Sequence, residues 1–237
     1  MWRVRILAGA AAAALAIVAA MGYFHLYHGR SALPAHEASL SIQKRLSAKR
    51  LATGQPLFIR IFKQEAELEV WMRNNNGWQL FEMFPVCRWS GSLGPKLAEG
   101  DGQTPEGFYK VALSQLNPDS RYHLAFNIGY PNAHDRALGR TGSHIMVHGA
   151  CVSIGCFAMT DRGIDDIYRL TEAALRGGQS AIDVHIFPFR MTEANMLKHA
   201  ASPWTRFWTD LKRGHDAFEA RREVPAVRIE AGRYVAG

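Results

Sequence analysis

Residues 57–63, LFIRIFK, alternate in the period-2 pattern of a β-strand that lays one face on a core. The pattern returns at 68–72, and Asn74, Asn75, Asn76 and Gly77 then cluster as a turn before 78–86. These segments predict strands, with a β-hairpin closing on the Gly-containing loop. Further strands are expected at 108–113, 122–128, 144–147 and 181–187. Two long irregular stretches, 91–107 and 129–142, separate them, and loops of that length in a compact domain are usually functional. One helix stands out at 163–176: Ile164, Ile167, Leu170, Ala174 and Leu175 share a face, Asp161 reads as its N-cap, and Gly177 and Gly178 end it. After Pro188 the spacing turns helical at 192–199 and 203–222, and an extended tail follows at 227–235. Trp204 and Trp208, four apart, read as docking residues of that last helix. The fold class is therefore mainly β (α+β): a largely antiparallel core, one supporting helix and a helical C-terminal extension over 188–237.

The N-terminus has a different character. Two arginines precede ILAGAAAAALAIVAAM at 6–21, the n-region and h-region of an export signal. The apolar run is at the border of what a membrane helix needs, so residues 1–27 read as a signal peptide or an N-terminal anchor. The leading arginines favour an N-in orientation, which puts the remainder outside the cytoplasm: periplasmic, secreted or held on the inner membrane. Residues 28–55 read as a stalk with a short helix, and the compact part opens near Pro56. A formal charge of +7 suits an anionic neighbourhood. The lysines and arginines are scattered rather than gathered in a stripe with aromatics, which argues against nucleic acid as a partner. Three cysteines, Cys87, Cys151 and Cys156, allow one bridge and a free thiol, or three free thiols.

Chemistry concentrates in His148-Gly149-Ala150-Cys151-Val152-Ser153-Ile154-Gly155-Cys156. A thiol nucleophile needs a base, oxyanion donors and a lean backbone beside it. His148 at a strand end supplies the base and, as imidazolium, would lower the thiol pKa. Gly155 admits a close substrate, and the N–H groups of Gly155 and Cys156 are the natural oxyanion donors. The bland alternative is a strand-end histidine and a buried cysteine, and spacing alone leaves the two about even. Zinc on His144, His148, Cys151 and Cys156 is a poor rival: histidines four apart on a strand have Cα atoms about 13 Å apart. No metal and no cofactor are expected. His123 and His185 read as ordinary core or surface residues, and Asp165 and Asp166 as a solvated first helical turn.

Three motifs carry a resemblance to a known family: Thr104-Pro105-Glu106-Gly107-Phe108-Tyr109, His148-Gly149, and Ser153-Ile154-Gly155-Cys156. Over roughly residues 56–187 the chain resembles the L,D-transpeptidase catalytic (YkuD-like) family. The runs KLAEGDGQTPEGFYKV, GYPNAHDRA, HGACVSIGCFAMTD and FPFRMTEANM resemble one hydrolytic subgroup, the peptidoglycan meso-diaminopimelic acid protein amidases, which release a Braun-type lipoprotein from the wall. The likeness extends into the C-terminal extension. The sequence departs from the broader family in three ways. Ile154 stands where a histidine is usual, the interval from His148 to Cys156 is short, and Ala158 replaces a common arginine that meets a stem-peptide carboxylate. These departures favour hydrolysis over transpeptidation.

The resemblance implies an L,D-transpeptidase-like β-sandwich and a mechanism. Cys156 attacks the carbonyl at the L-centre of diaminopimelate, and the oxyanion rests on the Gly155 and Cys156 amides. His148 protonates the departing lysine amine of the lipoprotein, then activates water on the thioester. The Gly149 carbonyl orients the imidazole. Transpeptidation, with an amine in place of water, is the alternative within the same chemistry; a non-catalytic wall-binding module is the alternative outside it. Partners are peptidoglycan stem peptides and the wall-linked lipoprotein. Cys151 is preferred as the partner of Cys87 in a disulfide, a pairing that needs Cα atoms within about 6 Å. Ser153, Tyr109, Tyr130, Asn132, His134 and Arg136 are candidate substrate contacts by position.

Overall fold

The period-2 segments pair into a single nine-stranded sheet of order β4-β9-β1-β2-β3-β8-β7-β6-β5. The strands are β1 (Leu57–Phe62), β2 (Glu67–Asn74), β3 (Gly77–Arg88), β4 (Gly107–Val111), β5 (Leu116–Ser120), β6 (His123–Asn127), β7 (Met146–His148), β8 (Phe157–Met159) and β9 (Ile182–Phe187). Pairing is antiparallel except for β1 with β9 and β7 with β8. The helices are α1 (Ile42–Ala48), α2 (Ala133–Ala137), α3 (Asp161–Arg176), α4 (Glu193–Lys198) and α5 (Thr205–Arg221), and a small hairpin, β10 (Val227–Glu230) with β11 (Arg233–Ala236), follows α5. The structure is a computed structural model and describes residues 41–237. The expected signal or anchor (1–27) and the first part of the expected stalk lie outside the described residues. Among the described residues no helix is long and apolar enough to cross a membrane.

The main core lies on one face of the sheet. Leu57, Ile59 and Ile61 of β1 and Ile182, Val184 and Ile186 of β9 pack there with Ile164, Ile167 and Leu170 of α3. The 163–176 periodicity is thus the buried face of the supporting helix. Its cap is one residue earlier than expected. Thr160 accepts the Gly163 N–H at 3.1 Å, while Asp161 Oδ1 accepts the N–H of Ala150 at 2.7 Å. Asp165 and Asp166 are likewise engaged, the first by His123 at 2.8 Å and the second by Arg45.

Strand β1 is not half-buried, as its alternation suggested, but buried at every position. Its second face is covered by α5: Phe58 and Phe62 join Phe187, Trp208, Leu211 and Phe218 in two aromatic clusters. Each such phenylalanine contributes roughly 1.5–3 kcal/mol by leaving water, so the C-terminal helix is a working layer of the fold. Arg60, on this covered face, is only 2% exposed. It survives burial because Glu69 and Glu219 accept from it at 2.8 and 2.6 Å and its guanidinium lies over Phe218 at 4.8 Å. His185 is buried between Phe58 and Phe108, with ring centroids at 4.7 and 4.5 Å. Burial and Arg60 hold its pKa well below the ordinary histidine value.

Residues 42–55 also belong to the folded unit rather than to a stalk. Ile42 and Leu46 are buried in the main core, and Arg45 bridges Glu82 on β3 and Asp166 on α3. Their short amphipathic run carried no sign of the partner surface that covers it.

The 91–107 loop is fixed by one buried cation. Lys63 Nζ is wholly buried and donates to the carbonyls of Ser92, Gly94 and Thr104, each at 2.9 Å, and to Glu106 Oε1 at 3.0 Å. Glu106 also accepts the Gly94 N–H at 2.7 Å and Trp208 Nε1–H at 2.7 Å. A loop read from composition as irregular is therefore held by a saturated polar network that reaches α5.

Candidate active site

Strands β7 and β8 run parallel side by side, with Val147 opposite Phe157 and His148 opposite Ala158. Parallel neighbours normally need a crossover of a dozen or more residues. Here only residues 149–156 lie between them. That loop closes through left-handed backbone at Ala150 (φ 64°), Cys151 (φ 53°) and Gly155 (φ 127°). Only glycine adopts the last of these without strain. Cys151 is disulfide-bonded to Cys87 on β3, Cα to Cα 5.3 Å, which clips the loop to the sheet. Cys156 is the free cysteine. Cys151 is thereby unavailable to the zinc set weighed above, and among the described residues no group of three or more His, Cys, Asp or Glu gathers around a common point.

The register brings His148 and Cys156 to one side of the sheet. Strands about 4.8 Å apart and a two-residue offset of about 6.6 Å put their Cα atoms about 8 Å apart, with both side chains on the same face. Both line one cleft of about 720 Å³, with His144 and Met146 beside them. Its far wall is the β5–β6 hairpin, through Asn117, Ser120, Arg121 and Tyr122. None of these four was singled out from sequence, because β5, LNPDS, has neither alternation nor strand-forming residues.

His148 is 3% exposed, and its Nδ1–H donates to the Gly149 carbonyl at 2.7 Å. A carbonyl can only accept, so the tautomer is fixed and Nε2 carries the lone pair. The Tyr122 ring lies against the imidazole, centroids 4.9 Å apart. Gly149 admits no side chain: a Cβ there would come within 2.6 Å of Asp161 Oδ1 and 3.0 Å of His123 Cβ. On the sulfur side, the Met146 N–H donates to Cys156 Sγ at 3.4 Å, and the thiol donates to the His144 carbonyl at 3.6 Å.

Burial sets the charge state. It pushes the Cys156 thiol up from its ordinary value, outweighing the Met146 N–H and the distant Lys96. It pushes His148 down, outweighing the Gly149 carbonyl. Desolvation thus penalises the charged form of both groups, which works against the ion pair that the motif suggested. Under non-reducing conditions, iodoacetamide labelling of Cys156 should accordingly titrate with a midpoint above the ordinary thiol value of 9.0. A midpoint below that value would show a preformed thiolate–imidazolium pair.

The remaining expected residues distribute unevenly. Gly155 N–H donates to Ser153 Oγ at 3.3 Å, and Ser153 O–H donates to the Cys156 carbonyl at 2.6 Å. Ser153 therefore braces the turn that leads into Cys156, and the Gly155 amide would have to leave a long bond to meet an oxyanion. Tyr109, Tyr130, Asn132, His134 and Arg136 do not line the Cys156 cleft. Tyr109 donates to Asp135 at 3.1 Å, Tyr130 meets the carbonyls of Lys96 and Thr141 at 3.2 Å, and Asn132 caps α2. His134 stacks on Tyr234 at 4.0 Å, and Arg136 donates to the Pro131 carbonyl. Asn132 Nδ2 also donates to the Phe108 carbonyl at 2.8 Å and the Tyr234 hydroxyl at 2.7 Å, and Tyr109, Asn132 and Arg136 line a separate cleft of about 730 Å³.

Residues 57–186 match the model of the L,D-transpeptidase catalytic domain (YkuD). The chain is 49% identical over 187 residues to YafK of Escherichia coli (strain K12), a protein provisionally named an L,D-transpeptidase, covering 79% of this chain and 76% of that one. The YafK of Escherichia coli O157:H7 matches to the same extent. Among solved structures, the helical cell shape determining protein Pgp2 from Campylobacter jejuni aligns with a TM-score of 0.46 at 17% identity, over 80% of each chain. Bd1075 from Bdellovibrio bacteriovorus aligns with a TM-score of 0.38 at 21% identity, over 68% of this chain and 60% of that one.

Proposed function

The chain belongs to the L,D-transpeptidase catalytic family of peptidoglycan enzymes, and from that premise we propose that it is a cysteine amidase releasing a wall-linked lipoprotein from meso-diaminopimelate. The observation that carries the reading is the placement of His148, at the end of β7, and Cys156, immediately before β8, in the lining of one cleft. Residues 56–187 are the catalytic domain in this reading. Residues 1–27 act as a signal peptide or inner-membrane anchor that delivers it to the periplasm, where an oxidising compartment suits the Cys87–Cys151 bridge.

The proton inventory starts from the uncharged forms that burial favours. As Sγ attacks the carbonyl at the L-centre of diaminopimelate, the thiol proton passes to His148 Nε2, which has the free lone pair. The Gly149 carbonyl, already bonded to Nδ1–H, stabilises the imidazolium that forms. The oxyanion is held by the Gly155 and Cys156 amides. Collapse breaks the C–N bond, and His148 returns its proton to the lysine ε-amine as it leaves. Water then loses a proton to His148 and attacks the thioester, and the carboxylic acid departs as the thiol is restored. An amine in place of water would give transpeptidation from the same thioester.

Incubating the purified protein with lipoprotein-bearing peptidoglycan tests this. Soluble lipoprotein with a free lysine side chain is the expected product. A gain of covalently attached protein, or new cross-links without release, would replace the amidase reading with transpeptidation. Co-sedimentation without either product would leave only a wall-binding module.

A further inference from the structure

The Cys156 cleft contains one permanent cation, Arg121, and no Asp or Glu. Breaking an amide bond needs a thiol, a base and oxyanion donors, and none of those roles requires a guanidinium on the opposite wall. Among the described residues Arg121 makes no hydrogen bond or ion pair, and it is exposed at the tip of the β5–β6 hairpin. Its neighbours on that wall are oriented to match. Asn117 Oδ1 is taken by the Asp119 N–H at 3.2 Å, and Ser120 Oγ accepts the Tyr122 N–H at 3.0 Å. Each oxygen thus already accepts one bond from the turn, while the Asn117 amide N–H groups and the Ser120 O–H remain to be donated. The hairpin's own acid, Asp119, does not line the cleft. Three donors and no competing carboxylate make a wall for an anion.

We propose that Arg121, with Asn117 and Ser120, is a specificity subsite that grips a free carboxylate of the diaminopimelate-bearing acyl donor. The proposal rests on the peptidoglycan reading above, because an uncharged peptide would give the guanidinium nothing to hold. Ala158, beside His148 in the register, is wholly buried and presents no cation of its own. A planar guanidinium holds a carboxylate through two parallel N–H bonds, so the grip fixes orientation as well as affinity. It acts across the cleft from Cys156 and sets which carbonyl is presented to the sulfur.

The test is binding of a diaminopimelate stem peptide to the Cys156→Ala protein, measured by calorimetry, which is independent of whether water or an amine completes the reaction. Adding Arg121→Gln should weaken binding about 10–100-fold, the range of a charge-assisted hydrogen bond, and Arg121→Lys should recover part of it. Amidating the peptide's carboxylates should cost the parent a similar factor and cost the Arg121→Gln protein nothing more. An unchanged Kd in Arg121→Gln, equal losses on amidation in both proteins, or no binding to the Cys156→Ala protein would each overturn the subsite. Failure of the amidase reading looks different: stem peptide binds with this pattern, yet no lipoprotein is released.

Discussion

On the amidase reading proposed above, replacing Cys156 with alanine should reduce lipoprotein release by roughly 10⁴-fold or more, with Tm nearly unchanged. The size of the loss follows from the chemistry. Without sulfur no thioester forms, and what remains is binding plus whatever the Gly155 and Cys156 amides offer to a water-attacked carbonyl. The small effect on folding follows from placement. Cys156 is half-buried at the end of a loop, outside the disulfide, and its thiol makes only two long hydrogen bonds. Losing one sulfur there costs about 1 kcal/mol or less. His148→Gln should fall by a similar factor, and the double variant by little more, because nucleophile and base act as one unit. Turnover assays on the three proteins beside thermal melts check all of this. Activity in Cys156→Ala within tenfold of the parent would remove the sulfur from the mechanism.

The second large effect is on stability, at Lys63→Met. Its ammonium and the Glu106 carboxylate are both fully buried, 3.0 Å apart. Burial pulls the lysine pKa down and Glu106 restrains it. Removing the cation leaves the buried Glu106 carboxylate without its counter-charge and takes one of two donors from the carbonyls of Ser92, Gly94 and Thr104, which keep the Gln103 amide. Breaking such a pair costs about 3–5 kcal/mol, which at about 2–4 °C per kcal/mol for a domain of this size lowers Tm by about 6–20 °C. Glu106→Gln keeps an acceptor for Lys63 and Trp208 but leaves the ammonium unpaired, so it too should destabilise. The double variant Lys63→Met/Glu106→Gln should be milder than the two losses added, since neither charge then lies buried alone. A melt of Lys63→Met within about 2 °C of the parent would show that the network is not what holds the loop.

These two variants mark how far sequence reasoning reached. The strands were legible because alternation survives in LFIRIFK and AIDVHIF, and the supporting helix because its apolar residues recur at 3.6. Cys156 and His148 stood out in sequence because they are the two ends of one short segment, and the β7–β8 pairing brings both to one cleft. The Thr104–Tyr109 signature was visible as a motif but not as physics. The structure makes Thr104 and Glu106 ligands of a buried lysine forty positions upstream, and Tyr109 a donor to Asp135. Tyr130 and Asn132 were chosen for lying on a long loop; their side chains bond the carbonyls of Lys96, Thr141 and Phe108 and lie away from the Cys156 cleft. The cleft wall was missed for the opposite reason. Asn117, Ser120 and Arg121 lie in a polar stretch with Pro118, which carries no periodic signal, and only pairing with β6 brings them opposite Cys156. The covered second face of β1 was invisible because α5, which covers it, begins more than a hundred residues later.

The short connection between β7 and β8 has an evolutionary corollary. Side chains on a strand alternate sides, so inserting or deleting one residue within 149–156 would present residue 155 or its successor to the cleft and turn the sulfur toward the core. The Cys87 tether at Cys151 leaves only residues 152–156 to take up a change of length on the sulfur's side.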